Sequence, residues 1–172
     1  DGNTENGSLP DPAYKPDIEW DFVEINKKQY TLYPFNKKSL ISLYNKLKHK
    51  SPRYYLTYVI QHFFVHFADG MEYGDNWRFP EIPTYISAVT LQPPYADSVE
   101  NTDFSDSDKQ RLKVLFSIWG DETTESREYM VGGVRTEFLA SIGLGAFKGV
   151  EGGSSATPIK KSQTLGVGNE PV

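Results

Sequence analysis

The sequence predicts a mainly α-helical protein with a few short strands. Apolar residues recur three and four positions apart, as on one face of a helix, in the segments that follow Asn36, Ser51 and Ser105. Each of these three residues is a good helix cap, so each helix has a defined start. Strand-like alternation of apolar and polar residues occurs in short runs near residues 18–25 and 29–35.

The composition is consistent with a substantial core and limits the possible chemistry. The chain has 172 residues, enough for one domain or for two small lobes, and 14% of them are aromatic. The absence of cysteine excludes disulfides, thiolate metal sites and a cysteine nucleophile. It also fits the reducing cytoplasm, where we expect the protein to be located. No apolar run reaches the roughly 18 residues of a membrane span, so we expect no membrane contact.

The first half of the chain predicts an extended arm, two short strands and a first helix. Residues 1–17 are rich in Gly, Asn and Pro, as extended arms are. After the strands, a helix is expected from Lys37 to about Lys48, capped by Asn36. The apolar stripe of this helix consists of Leu40, Leu43, Tyr44 and Leu47.

A second helix is expected to begin at Ser51-Pro52 and to stop at Asp69-Gly70. Proline at the first helical position loses no hydrogen bond, because the N–H there has no partner within the helix. The helix is apolar on nearly every side, so it belongs in a core or between partners. The two strands and the helix pair together occupy residues 18–69. We expect the two helices to share a buried set that comprises Tyr44, Leu47, Leu56, Ile60 and Phe63.

The second half predicts a long loop followed by a small winged-helix-like α+β module. Residues 70–104 contain four prolines and little periodicity, which indicates an ordered loop. The module, residues 105–147, then consists of a helix over 105–119, a turn at Gly132-Gly133 and a helix over 135–142. Residues 148–172 are rich in Gly, Ser and Thr and predict a flexible tail.

Positive charge is concentrated between residues 27 and 53. This segment carries eight Lys and Arg residues and no acid, although the whole chain has a net charge of −5. Such a segment favours an anionic partner, such as a phosphate or a nucleic acid, with a solvated helix face as the alternative. The candidate anion-binding residues are Lys37, Lys38, Lys46, Lys48 and Lys50.

The sequence contains no complete catalytic site, so whether the chain belongs to an enzyme stays open. It has no G-x-x-x-x-G-K-[ST] phosphate loop and no G-x-S-x-G elbow. His62 and His66 have metal-ligand spacing, but Phe63, Phe64 and Val65 stand between them, where a zinc protease has a glutamate. We therefore expect core or interface histidines, and no metal or cofactor within this chain.

The segment "LYPFNKKSLISLYNKLKHKSPRYYLTYVIQHFF" resembles the C-terminal helical lid of a group of prokaryotic P-loop ATPases. These belong to the AAA-like and signal-transducing branches of anti-phage defence, including the ATPase partners of phosphorothioation-dependent restriction. The shared pattern is a short strand, Pro-Phe-Asn, an amphipathic helix, Pro-Arg and a very apolar helix. "FPEIP", "SIWGDETT" and "MVGGVRTEFLASIGL" are similar to the segment that follows such lids, so the resemblance covers residues 18–147.

The resemblance implies that Arg53 senses the terminal phosphate of a bound nucleotide. An ATPase core outside this chain would then hold ATP and Mg²⁺, and the chain would be a noncatalytic lid that couples nucleotide state to a protein or DNA partner. Two alternatives are a DNA-binding adaptor that uses the lysine-rich segment 27–53, and a plain protein-interaction domain. DNA contact is expected to be weak, because the 105–147 module has few Lys and Arg residues among many acidic ones.

Overall fold

A β-hairpin begins the described part of the protein, which comprises residues 19–73, 77–121 and 129–149 of a computed structural model. Strand β1 (Phe22–Ile25) pairs antiparallel with β2 (Lys28–Thr31), so that Phe22 lies opposite Thr31. Asn26 and Lys27 both have positive φ, at 51° and 62°, as a tight two-residue hairpin turn requires. The two short strands expected from the sequence are therefore confirmed. The predicted arm, residues 1–17, lies outside the described residues.

Helix α1 (Lys37–Lys46) begins where the sequence predicts, because Asn36 makes a complete capping box. The Asn36 side chain accepts a hydrogen bond from the Ser39 amide at 2.7 Å, and the Ser39 hydroxyl accepts one from the Asn36 amide at 3.0 Å. The amide group of Asn36 also donates to the carbonyl of Trp119 at 3.0 Å. The start of α1 is thus fixed both locally and by a distant part of the chain.

A long helix follows, built from α2 (Pro52–Tyr54), a π-helical segment (Tyr55–Ile60) and α3 (Gln61–Tyr73). The Ser51 side chain caps it by accepting from the Tyr54 amide. The predicted stop at Asp69-Gly70 is wrong, since the helix continues to Tyr73. Gly70 instead permits close packing: a Cβ there would lie 2.0 Å from the ring of Trp77.

The region predicted as a long loop runs along the end of α1 and contains a short helix, α4 (Tyr95–Glu100). The Lys48 amide donates to the Tyr85 carbonyl at 3.0 Å, and the Ser87 amide donates to the Lys46 carbonyl at 2.9 Å. These bonds flank an isolated β-bridge between Leu47 and Ile86. The segment around residue 85 is therefore bound to the turn that precedes the long helix.

The last described elements are α5 (Asp106–Ile118), β3 (Met130–Val131), β4 (Val134–Arg135) and α6 (Thr136–Ser141). Both helices agree with the sequence prediction within about two residues, which is the usual uncertainty of a helix boundary. Gly132 and Gly133 adopt φ of 52° and 73° at the turn between the strands. Residues 122–128, and the predicted tail from residue 150 onward, lie outside the described residues.

The core is centred on Trp119, which is 1% exposed. Its ring stacks on Phe35 at 6.0 Å between centroids and meets the rings of Phe63 and Phe79 edge-on at 5.4 and 5.3 Å. Its indole N–H donates to the Pro34 carbonyl at 2.9 Å. Buried residues from α1, the long helix, α5 and α6 belong to the same apolar cluster.

The expected packing set of the two helices is partly wrong. Leu47 and Phe63 are buried, and Tyr44 and Ile60 are partly buried against the core. Leu56, however, is 62% exposed. The buried edge of the long helix runs through Val59, Phe63 and Phe67, four residues apart, and Leu56 does not lie on that edge.

Leu43 and Leu56 provide a matched test of this packing. Leu43→Ala removes a side chain that is 0% exposed and should lower the free energy of unfolding by about 2–5 kcal/mol. Leu56→Ala should change it by no more than about 0.5 kcal/mol, as exposed substitutions usually do. Urea denaturation of both variants measures the difference. Equal losses would contradict the packing described here.

Candidate functional site

Two basic segments that contain no acid meet where α1 ends and the long helix begins. Neither residues 27–68 nor residues 82–96 contain an Asp or Glu, and the two segments meet through the backbone hydrogen bonds of Lys46 and Lys48. We call this region the basic-tyrosine surface. It consists of Lys46, Lys48, His49, Lys50, Arg53, Tyr54, Tyr58 and Tyr85. A surface with cations and no local carboxylates attracts anions.

Arg53 is exposed in the first turn of the long helix, directly after Pro52. It makes no hydrogen bond or ion pair with any described residue. The amide groups of a helix N-terminus add partial positive charge next to this guanidinium. A guanidinium has a planar set of donors that fits two phosphate oxygens at once. Arg53 is thus available to a ligand rather than used within the fold.

The structure separates the five candidate lysines into two groups. Lys37 and Lys38 are in the first turn of α1, whereas Lys46 is in its last turn, about 13 Å further along the helix axis. Lys48 and Lys50 follow in the turn toward Arg53. The predicted basic segment is therefore not one continuous anion site.

Lys37 and Lys38 have acidic surroundings. They line a shallow cavity together with Glu19, Asp21 and Asp121, and the backbone amide of Lys37 donates to the Asp21 carboxylate at 2.8 Å. Neighbouring carboxylates would repel an anionic ligand. Lys46, Lys48, Lys50 and Arg53 do not line this cavity.

Three tyrosines form an exposed cluster beside the cations. The rings of Tyr54 and Tyr58 lie 4.6 Å apart, and Tyr85 contacts them at 5.4 and 5.5 Å between centroids. Tyr58 is 45% exposed and Tyr85 is 37% exposed. Sequence analysis missed this cluster. The four-residue spacing of Tyr54 and Tyr58 was visible, but the approach of Tyr85 depends on the bridge between Leu47 and Ile86.

The two histidines of the long helix contact Glu81 rather than a ligand. A ring nitrogen of His62, Nε2, lies 3.0 Å from the Glu81 carbonyl oxygen. His66 Nδ1 lies 3.8 Å from the Glu81 carboxylate, which is also paired with Arg78 at 2.8 Å. Within residues 19–73, 77–121 and 129–149, no group of three or more potential ligands could hold a metal ion. The histidines thus join the long helix to the loop that carries Tyr85.

His66 should make stability depend on pH. Its burial and the nearby His62 lower its pKa below the usual 6.5, an effect that Glu81 partly opposes. The unfolded chain therefore takes up a proton near pH 6.5 that the folded chain resists, so stability should fall as the pH drops below that value.

The test compares melting temperatures between pH 7.5 and about 5.5, a window chosen to bracket the usual histidine pKa. His66→Gln should lose less stability over this window than the parent chain. His49→Gln, a change at an exposed histidine, is the control and should behave as the parent does. An identical decline in the parent and in His66→Gln would contradict the assignment.

Comparison with known proteins gives no family for this chain. No protein-family model matches it, and neither a curated protein nor a solved structure is significantly similar to it. None of the helices in the described part of the chain has the length and apolar character that a membrane crossing needs.

Proposed function

We propose that the chain is a noncatalytic lid of a P-loop ATPase, in a prokaryotic defence system, and that Arg53 contacts the phosphate of the bound nucleotide. The observation that carries this proposal is the position of Arg53. It is exposed in the first turn of a capped helix, it has no partner among the described residues, and no acid lies within the segment around it. A phosphate sensor needs this combination, since any internal carboxylate would compete with the phosphate.

The long helix also offers a surface through which a lid could transmit nucleotide state. Leu56, Phe64 and Val65 are 62%, 39% and 46% exposed on the same helix that carries Arg53. In the proposed lid, these side chains would pack against another protein surface. An ATPase core or a protein partner that packs there would sense any movement of the Arg53 turn, because both belong to one helix.

The nucleotide itself would be held outside this chain. The sequence has no phosphate loop that would hold the phosphates and Mg²⁺ of a nucleotide. The one contribution assigned to this chain is a guanidinium that stabilises charge on the phosphate. Arg53 is thus assigned a sensing role, and no catalytic step is placed within these residues.

Substitution of Arg53 tests the proposal in a longer polypeptide that includes a phosphate loop. Arg53→Ala should lower the rate of ATP hydrolysis about tenfold for each 1.4 kcal/mol of transition-state stabilisation lost. Arg53→Lys keeps the charge but loses the planar donor pair, so it should also impair hydrolysis, though less. Steady-state phosphate release measures both effects.

Lys50→Ala is the matched control, because it removes an exposed cation three residues away. It should leave hydrolysis near the parental rate, and all three variants should melt with the parent. Normal hydrolysis in Arg53→Ala would eliminate the sensor role. If Lys50→Ala lowered the rate of hydrolysis as much as Arg53→Ala does, the effect of Arg53 would be due to positive charge in general and not to a specific phosphate contact.

The 172-residue chain alone should hydrolyse no ATP. It lacks both the phosphate loop and the Mg²⁺-binding Ser or Thr that follows such a loop. Release of inorganic phosphate from ATP, measured after purification to constant specific activity, checks this expectation. Turnover that copurifies with the chain would show that a catalytic site is present after all.

The structure gives less support to a DNA-binding adaptor that uses the whole segment 27–53. Lys37 and Lys38 lie beside three carboxylates and are a helix length away from Lys46. A duplex is best bound by cations that follow its phosphates without acids between them. Any role of this segment in nucleic-acid binding is therefore better assigned to the basic-tyrosine surface alone.

A further inference from the structure

We infer that the basic-tyrosine surface binds single-stranded nucleic acid, with bases stacked on the rings of Tyr58 and Tyr85 and phosphates beside Lys48 and Lys50. This function is separate from nucleotide sensing by Arg53 and does not depend on it. The observation behind it is a cluster of exposed aromatic rings in contact with one another and bordered by cations, in two segments that contain no acid.

The tyrosine cluster has exposed ring surface and hydroxyls that the fold does not use. Tyr58 and Tyr85 leave 45% and 37% of their surfaces exposed, with ring centroids 5.5 Å apart. Neither hydroxyl makes a hydrogen bond with a described residue. By contrast, Tyr55, on the inner side of the same helix, donates to the Leu40 carbonyl at 2.6 Å. The exposed rings are therefore available to stack on bases.

Lys48 is held in a defined position next to these rings. Its ammonium group donates to the Thr84 carbonyl at 2.9 Å, directly before Tyr85 in the sequence. An ammonium has three donors, so two remain for a phosphate. The Lys48 ammonium is thus held at the backbone of the residue before Tyr85, and single-strand sites combine cations with aromatic side chains.

Single strands fit this surface better than duplexes do. Unpaired bases expose their faces to aromatic side chains, whereas in a duplex they are stacked on each other. The cluster is also short: it offers three rings, and its cations come from one turn and one helix start. It matches a few nucleotides rather than a long array of phosphates. A proline-rich peptide could pack on tyrosines too, but it would not make use of the cations in these two segments.

The test measures the fluorescence anisotropy of a labelled oligothymidine with the full 172-residue chain at low salt. Tyr58→Ala and Tyr85→Ala should each weaken binding by about fivefold or more, as expected for the loss of one stacked base. Tyr73→Ala is the control, because Tyr73 is also exposed, at 63%, but lies at the far end of the long helix beside the carboxylate of Glu72. Tyr58→Phe retains the ring and should bind as the parent does.

The charge contribution is tested through the salt dependence of binding. Lys48→Gln and Lys50→Gln should each reduce the log–log salt slope by about 0.7, the value for one phosphate contact with a single strand. Lys37→Gln should leave the slope unchanged. Arg53→Ala should weaken oligonucleotide binding less than Tyr58→Ala does, which separates this surface from the proposed nucleotide sensor.

Several outcomes would overturn the inference. They are no oligothymidine binding at low salt, binding that is unaffected by Tyr58→Ala, and equal binding of a duplex of the same length. Binding of a proline-rich peptide that depends on Tyr58, without oligothymidine binding, would assign the surface to a protein partner. Tyr58 is exposed, so Tyr58→Ala is expected to fold, and its melting curve must match that of the parent.

Discussion

The burial of Trp119 joins the start of α1, the long helix and the segment at Phe79 to the end of α5. Its indole N–H bonds to the Pro34 carbonyl, and its own carbonyl accepts a hydrogen bond from Asn36, the cap of α1. The rings of Phe35, Phe63 and Phe79 pack around it. A single residue at the end of α5 therefore fixes the hairpin exit, the start of α1 and the buried edge of the long helix. Because these contacts share one residue, their energies will not be additive.

Arg111 connects α5 to the segments at Phe79 and Ile142 through hydrogen bonds rather than apolar contacts. It is 5% exposed and donates to the carbonyls of Phe79 and Ile142 at 2.7 and 2.5 Å. Burial lowers the pKa of its guanidinium, while the neighbouring Asp108 opposes this effect. Leaving such buried carbonyls without donors would be costly. Arg111 thus holds the beginning of the loop that later supplies Tyr85 to the basic-tyrosine surface.

Local signals predicted the helices well because they are encoded within a few residues. Asn36, Ser51 and Ser105 each cap a helix, as expected from their side chains. The end of the long helix was not predictable, because a glycine in this position usually ends a helix. Here the ring of Trp77, from further along the chain, packs against Gly70 and the helix continues. Leu56 was misassigned because a π-helical turn changes which residues share a face.

Only the positive charge of the candidate site could be predicted from the sequence. The acid-free run and Arg53 are visible in the sequence. The sequence does not show that Glu19 and Asp21 lie next to Lys37 and Lys38, because this depends on how the hairpin folds back onto α1. The tyrosine cluster likewise requires a bridge between segments about forty residues apart, Leu47 and Ile86. Non-local pairings of this kind leave no periodic pattern in a single sequence.

The π-helical segment determines the direction in which the functional side chains point. A π-helix closes its hydrogen bonds one residue later than an α-helix, so each of its turns contains about one residue more. Phe63 and Phe67 anchor α3 to the core on one side of this segment, and Arg53 and Tyr54 precede it on the other. Deleting one residue between 55 and 60 would restore α-helical winding over nearly the same total rotation, so the first turn would keep roughly its direction around the axis. The extra residue therefore changes which side chains within residues 55–60 face outward, Tyr58 among them, while the anchored core on one side and the Arg53 turn on the other stay in place.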